Sequence, residues 1–159
     1  MPDKSRFKPK NIYLTIALIL SFSLFVISLT QTAFYTNGPG DNKFSSAFTF
    51  AFGWTAILAG EYAEVLIWLA NPAYILALIF LVYERKSSAA VASVTSLMFA
   101  LLFLSRETIA TNESGSGSYY TIIIGPGYWL WLLSILIFTL GVLVSNYVER
   151  NSSEQNYDE

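Results

Sequence analysis

Four long apolar runs separated by short polar stretches set the pattern of this chain. The first, Ile12 to Leu29, has eighteen residues and no charge. As a helix it rises about 27 Å, close to the ~30 Å hydrocarbon core of a bilayer. Lys4, Arg6, Lys8 and Lys10 precede it, which makes a secretory signal peptide the alternative. Signal cores are shorter, about 7–15 residues, and end in a small-residue cleavage site. Gln31-Thr32-Ala33 matches such a site poorly, so the run reads as an uncleaved first span over about residues 12–30.

The second span covers about 65–83 and contains Asn71-Pro72. Pro72 removes a backbone donor and crowds the preceding turn, which predicts a kink. Glu84, Arg85 and Lys86 then make a very short connection to the third span, 87–104, and the fourth covers 128–147. Between the first two spans, Ala47 to Gly60 is apolar but only fourteen residues long. At about 21 Å it is too short to cross, and Phe48, Phe50, Phe52 and Trp54 suit a membrane boundary. The fold class expected is therefore an all-α membrane protein: four transmembrane helices with a short re-entrant or interfacial helix before the second. Its parts are a basic amino terminus (1–11), a membrane domain (12–147) with outer segments 31–64 and 105–127, and a polar tail (148–159). The outer segments read as loops, with Asn37-Gly38-Pro39-Gly40 as a turn signal in one. The other is Gly/Ser-rich, with a β-branched patch at Thr121–Ile124 before the breaker Gly125-Pro126-Gly127.

Charge then orients the spans. With the amino terminus inside, inner segments hold Lys4, Arg6, Lys8, Lys10, Arg85, Lys86 and Arg150, and outer ones only Lys43 and Arg106. Seven basic residues against two place both termini in the cytoplasm. Tyr13, Tyr83 and Tyr147 would mark the inner boundary; Tyr35, Tyr119, Tyr120, Tyr128, Trp129 and Trp131 the outer one. A compact, loop-poor chain of this kind suits a bacterial inner membrane. In that setting Asn112-Glu113-Ser114, which matches a glycosylation sequon, carries no meaning.

Composition agrees: 54% of residues are hydrophobic and 13% charged, against about 25% charged in a soluble domain. A net charge of −2 gives no basic patch for nucleic acid. The chain has neither cysteine nor histidine, which removes disulfides, thiol nucleophiles, the commonest metal ligand and the usual general base. No cofactor is expected. The lipid bilayer is the expected partner, with a second membrane protein or a second copy beyond it.

Candidate chemistry is sparse. Spans one, three and four carry no ionisable residue in their apolar interiors, whereas ion and proton paths usually need one. Asn71 beside Pro72 could face a ligand or, more simply, be satisfied by a neighbouring helix. Glu61 and Glu64, three apart, would share a helix face and could hold a cation; otherwise they sit in headgroup water at the positive end of a helix. Arg106 and Glu107 fit a solvated boundary pair. Ser88, Ala92, Ser96 and Ala100 recur every four residues, a spacing that lets two helix backbones approach closely. That face would pack on another helix of this chain or on a second copy. A non-catalytic accessory, scaffold or sensor acting through its outer face is the first functional expectation. A small-solute transporter or channel and an enzyme using outer-face carboxylates are the alternatives.

Overall fold

The computed structural model describes residues 10–38, 43–111 and 118–155. Helix α1 (Lys10–Leu29) leads to strands β1 (Thr32–Thr36) and β2 (Lys43–Ser45). A short helix, α2 (Ser46–Phe52), continues as a 3-10 segment, Gly53–Ala59. The second long helix is broken into α3 (Tyr62–Trp68) and α4 (Ala70–Val82), and α5 (Lys86–Leu102) follows after a tight turn. Strands β3 (Thr108–Thr111) and β4 (Ser118–Ile124) precede the last helix, α6 (Pro126–Gln155). Among the described residues, four helical stretches are long and apolar enough to cross a membrane, 12–29, 62–82, 86–105 and 126–149. The shorter apolar helix between the first two is present as Ser46–Ala59.

The all-helical expectation needs one correction. The segments 31–64 and 105–127, expected as loops around a short helix, contribute a four-stranded antiparallel sheet in the order β2-β1-β4-β3. Phe34 pairs with Ile124 and Thr36 with Ile122 across β1 and β4, while Thr108 faces Thr121 across β3 and β4. Strands of 3 to 7 residues are too short to be stable alone. Pairing across the chain supplies the backbone hydrogen bonds, and β-branched and aromatic residues fit the pleat. Along β4 the alternation is clear: Ile122 and Ile124 pack on the core and Ile123 is exposed. Asn37 adds a lock, its Oδ1 accepting from Thr121 N at 2.9 Å. The turn residues at 39–42 and the Asn112-Glu113-Ser114 motif lie outside the described residues.

The sheet sits at one end of the helical bundle. At the other, the turn after α4 closes with Arg85 N–H bonded to Phe80 O at 2.8 Å and Glu84 N–H to Leu81 O at 3.0 Å. This is the two-bond helix stop that needs a left-handed residue, supplied here by Glu84 at φ 58°. Lys86 and Glu149 form an ion pair joining α5 to α6 at this end.

The helices bury their polar faces. On α1 Ser21 and Ser28 are fully buried while Ile12, Ile16, Ile19 and Phe22 are exposed, the reverse of a water-facing helix. The Ser21 hydroxyl donates to Ser134 O at 2.8 Å. Its one proton is thereby used, so Tyr74 OH donates to Ser21 Oγ, also at 2.8 Å. Close approach of α1 and α6 rests on Gly141, where a Cβ would lie 2.5 Å from Ala17 Cβ. On α5, Ala92, Ser96 and Ala100 are buried and Ser88 is half-buried. Ser96 Oγ donates to Ala70 O of α4 at 2.7 Å, and Ala100 O accepts from Tyr128 OH of α6 at 3.0 Å. The small-residue stripe thus packs on two helices of the same chain.

Candidate functional site

Between the sheet and the bundle lies a cavity of about 360 Å³. Its walls come from β1, β2, β3, the Ser46–Ala59 segment, α3, the start of α4, the 3-10 turn Phe103–Ser105 and the adjoining ends of α1 and α6. Rings dominate: Phe44 stacks on Phe34 at 4.5 Å, Phe34 meets Phe103 at 5.5 Å, Phe103 meets Tyr128 at 4.9 Å, and Tyr128 meets Trp131 at 5.7 Å. All five line the cavity, joined by Phe48, Phe50, Phe52 and Trp68.

Local chemistry explains how the walls are held. A bulge in β1 between Thr32 and Phe34 turns that strand toward the start of α6. There Gly127 is obligatory, because a Cβ would lie 2.1 Å from Ser46 Oγ and 2.8 Å from Thr32 O. Pro126 occupies the first position of α6, where a missing N–H costs nothing. Ser45 caps α2, its Oγ accepting from Phe48 N at 3.2 Å. Trp68 Nε1 donates to Phe50 O at 2.8 Å, tying the short segment back onto α3.

Asn71 and Pro72 mark the break in the second long helix. Without an N–H, Pro72 leaves the Trp68 carbonyl without its usual partner four residues on. Asn71 Nδ2 takes that role, donating to Trp68 O at 3.1 Å, and its Oδ1 accepts from Trp131 Nε1 at 2.9 Å. Asn71 is buried, lines the cavity and is bonded on both sides.

The four charged candidates separate. Glu64 and Arg106, 42 positions apart, form an ion pair at 2.7 Å with side chains 14% and 31% exposed. Arg106 pairs with Glu64, then, not as a solvated boundary pair with its neighbour Glu107, which is exposed. Glu61 stands at the start of α3, half-buried and with no side-chain capping bond. Only Glu64 of the four lines the cavity. The pairing uses Glu64 Oε1 and Arg106 Nη2. Among the described residues, Glu64 Oε2, Arg106 Nε and Ser46 Oγ are buried with no hydrogen-bond partner, and Glu64 and Ser46 are both wall residues.

The wall holds one carboxylate, and among the described residues no three His, Cys, Asp or Glu gather where they could hold a metal ion. Ser46, Arg106 as a partner of Glu64, and the aromatic walls were not foreseeable as one site, although the run Phe48, Phe50, Phe52 was a visible signal. No protein-family model, curated protein or solved structure matches the chain.

Proposed function

We propose that this chain is a non-catalytic multi-pass membrane protein of a bacterial inner membrane, with both termini cytoplasmic. It acts as an accessory or sensor component through its outer face, by receiving a small apolar molecule in the sheet-capped cavity. The observation that carries this reading is a ring-walled chamber with Glu64, ion-paired to Arg106, among its wall residues. Ligand pockets are commonly apolar chambers of about 300–1,000 Å³ with a few placed polar groups.

The bilayer placement rests on apolar α1 surface around buried serines and on the basic residues gathered at the turn end. In this orientation the sheet faces outward and Ser46–Ala59, with Phe48, Phe52, Trp54 and Leu58 exposed, lies in the outer leaflet. A cysteine at Glu107 should react with a membrane-impermeant maleimide added to whole cells, and one at Glu84 only after lysis. The opposite pattern inverts the protein and removes the outer-face reading. Native mass spectrometry tests the binding itself. The wild type should carry a small-molecule adduct, and Ala56→Trp, which fills the chamber, should lose it while remaining folded. An adduct equally present in both would place the ligand elsewhere.

A further inference from the structure

The cavity also indicates what enters it, given the binding role and bilayer placement just proposed. We infer that the guest is one acyl chain of an outer-leaflet phospholipid, held by hydrocarbon contact alone while its head group stays at the membrane surface. Each polar side chain on the wall is engaged within the protein or sealed from the chamber. The hydroxyls of Ser28, Thr49, Thr55 and Tyr128 donate to carbonyl oxygens at 2.7 to 3.0 Å. Trp68 Nε1 donates to Phe50 O at 2.8 Å and Trp131 Nε1 to Asn71 Oδ1 at 2.9 Å, while Asn71 Nδ2 donates to Trp68 O. Glu64 Oε1 accepts from Arg106. Glu64 Oε2 and Ser46 Oγ are themselves fully buried and present nothing to the chamber. A polar group brought inside would give up water and find no partner, which is costly. A hydrocarbon chain loses no hydrogen bond and gains close contact with the rings of Phe34, Phe44, Phe103 and Trp131.

The mouth gives the source. The wall residues that are also exposed are Phe48, Phe52 and Ala59, all on the Ser46–Ala59 segment. That segment carries no charge, and its other large exposed side chains are Trp54, Ile57 and Leu58. The chamber therefore opens among apolar side chains that stand in the outer leaflet, and a lipid chain can pass into it sideways without crossing water. A single chain follows from size, since about 360 Å³ is at the small end of ligand pockets.

Trp68 and Trp131 line the chamber and Trp54 and Trp129 are exposed, so Trp54→Phe/Trp129→Phe protein in lipid nanodiscs reports on the site by fluorescence. The probe is phosphatidylcholine brominated midway along one acyl chain, since bromine quenches tryptophan on contact. The protein should be quenched. Adding Ala56→Phe, which fills the chamber, should remove most of that quenching with helicity unchanged. Ala59→Phe, at the exposed mouth, should act alike and serves if Ala56→Phe does not fold. Brominated phosphatidylglycerol should quench as well as the phosphatidylcholine, because the chamber reads no head group. Quenching that is equal with and without the filling substitutions, or that follows the head group, overturns the acyl-chain assignment. Bromodecane added to unbrominated nanodiscs separates a free guest from a lipid. If the filling substitutions abolish quenching by bromodecane but not by the phospholipid, the guest is a free small molecule; the acyl-chain assignment falls and the binding reading stands. If neither probe responds to them and native mass spectrometry also finds no adduct, both fall together.

Discussion

In the middle of the bundle Ser21, Tyr74, Ser93, Ser96 and Thr139 are buried, and each hydroxyl is bonded within the chain. At the sheet end Ser46, Glu64 and Arg106 also bury polar atoms, yet one on each lacks a partner among the described residues. The middle is built by the long helices alone, whereas the sheet end adds strands and the Ser46–Ala59 segment. The middle closes its hydrogen bonds and packs small residues against helix backbones, which serves stability. The sheet end buries three polar atoms without partners among the described residues, which is costly to stability. Unsatisfied buried groups in a folded protein are uncommon, and these three gather at the sheet end.

The largest effect should come from disturbing the closed region. Ser96→Leu forces a bulky side chain between α5 and α4 and removes the donor to Ala70 O. Overpacking typically costs about 1–3 kcal/mol, and a stranded carbonyl adds to it. Leu101→Phe, at a position 42% exposed, should cost under about 1 kcal/mol. Unfolding by SDS titration from mixed micelles measures both. Equal losses would mean that α5 is not packed through its small residues.

Asn71 stands where the two regions meet. Replacing it by leucine removes both bonds that hold the break, freeing Trp68 O and Trp131 Nε1. A loss of about 2 kcal/mol is expected, together with a shift in Trp131 emission. An unaffected protein would show that the kink is held by Pro72 alone.

These two residues also mark how far sequence reasoning reaches. The four spans were legible because long uncharged apolar runs suit little besides a membrane crossing, and Pro72 with Asn71 announced the break. The sheet was hidden because its pairs are distant: Phe34 meets Ile124 and Thr32 meets Ser45. Each strand is too short to show more than a few alternations, and β4 announced itself only as a β-branched patch before a breaker. Glu64 was legible as a candidate through its spacing from Glu61, but its partner lies 42 positions away. The cavity draws its walls from helices, strands and a 3-10 segment spread between Ser28 and Trp131, so no short window of sequence contains it.

A milder test of the closed region is Ser21→Ala, which removes the group bridging Tyr74 OH and Ser134 O. Hydrogen bonds between membrane helices average about 0.6 kcal/mol and reach about 1.7. With two bonds at stake a loss of about 1 kcal/mol is expected in the same titration.

The smallest effect should also have the opposite sign, and it decides the comparison. Ser46 is as buried as a core residue at 8% exposure, and its Oγ has no partner among the described residues. Removing a buried hydroxyl normally costs stability because a bond is lost with it. Here no bond is lost, while the cost of keeping a hydroxyl away from water disappears. Ser46→Ala should therefore leave stability unchanged or raise it by up to about 1 kcal/mol in ligand-free micelles. Two serine-to-alanine changes in one chain would then move stability in opposite directions. If Ser46→Ala destabilises the protein as much as Ser21→Ala does, the sheet end is closed like the middle, and the case for an open site there fails.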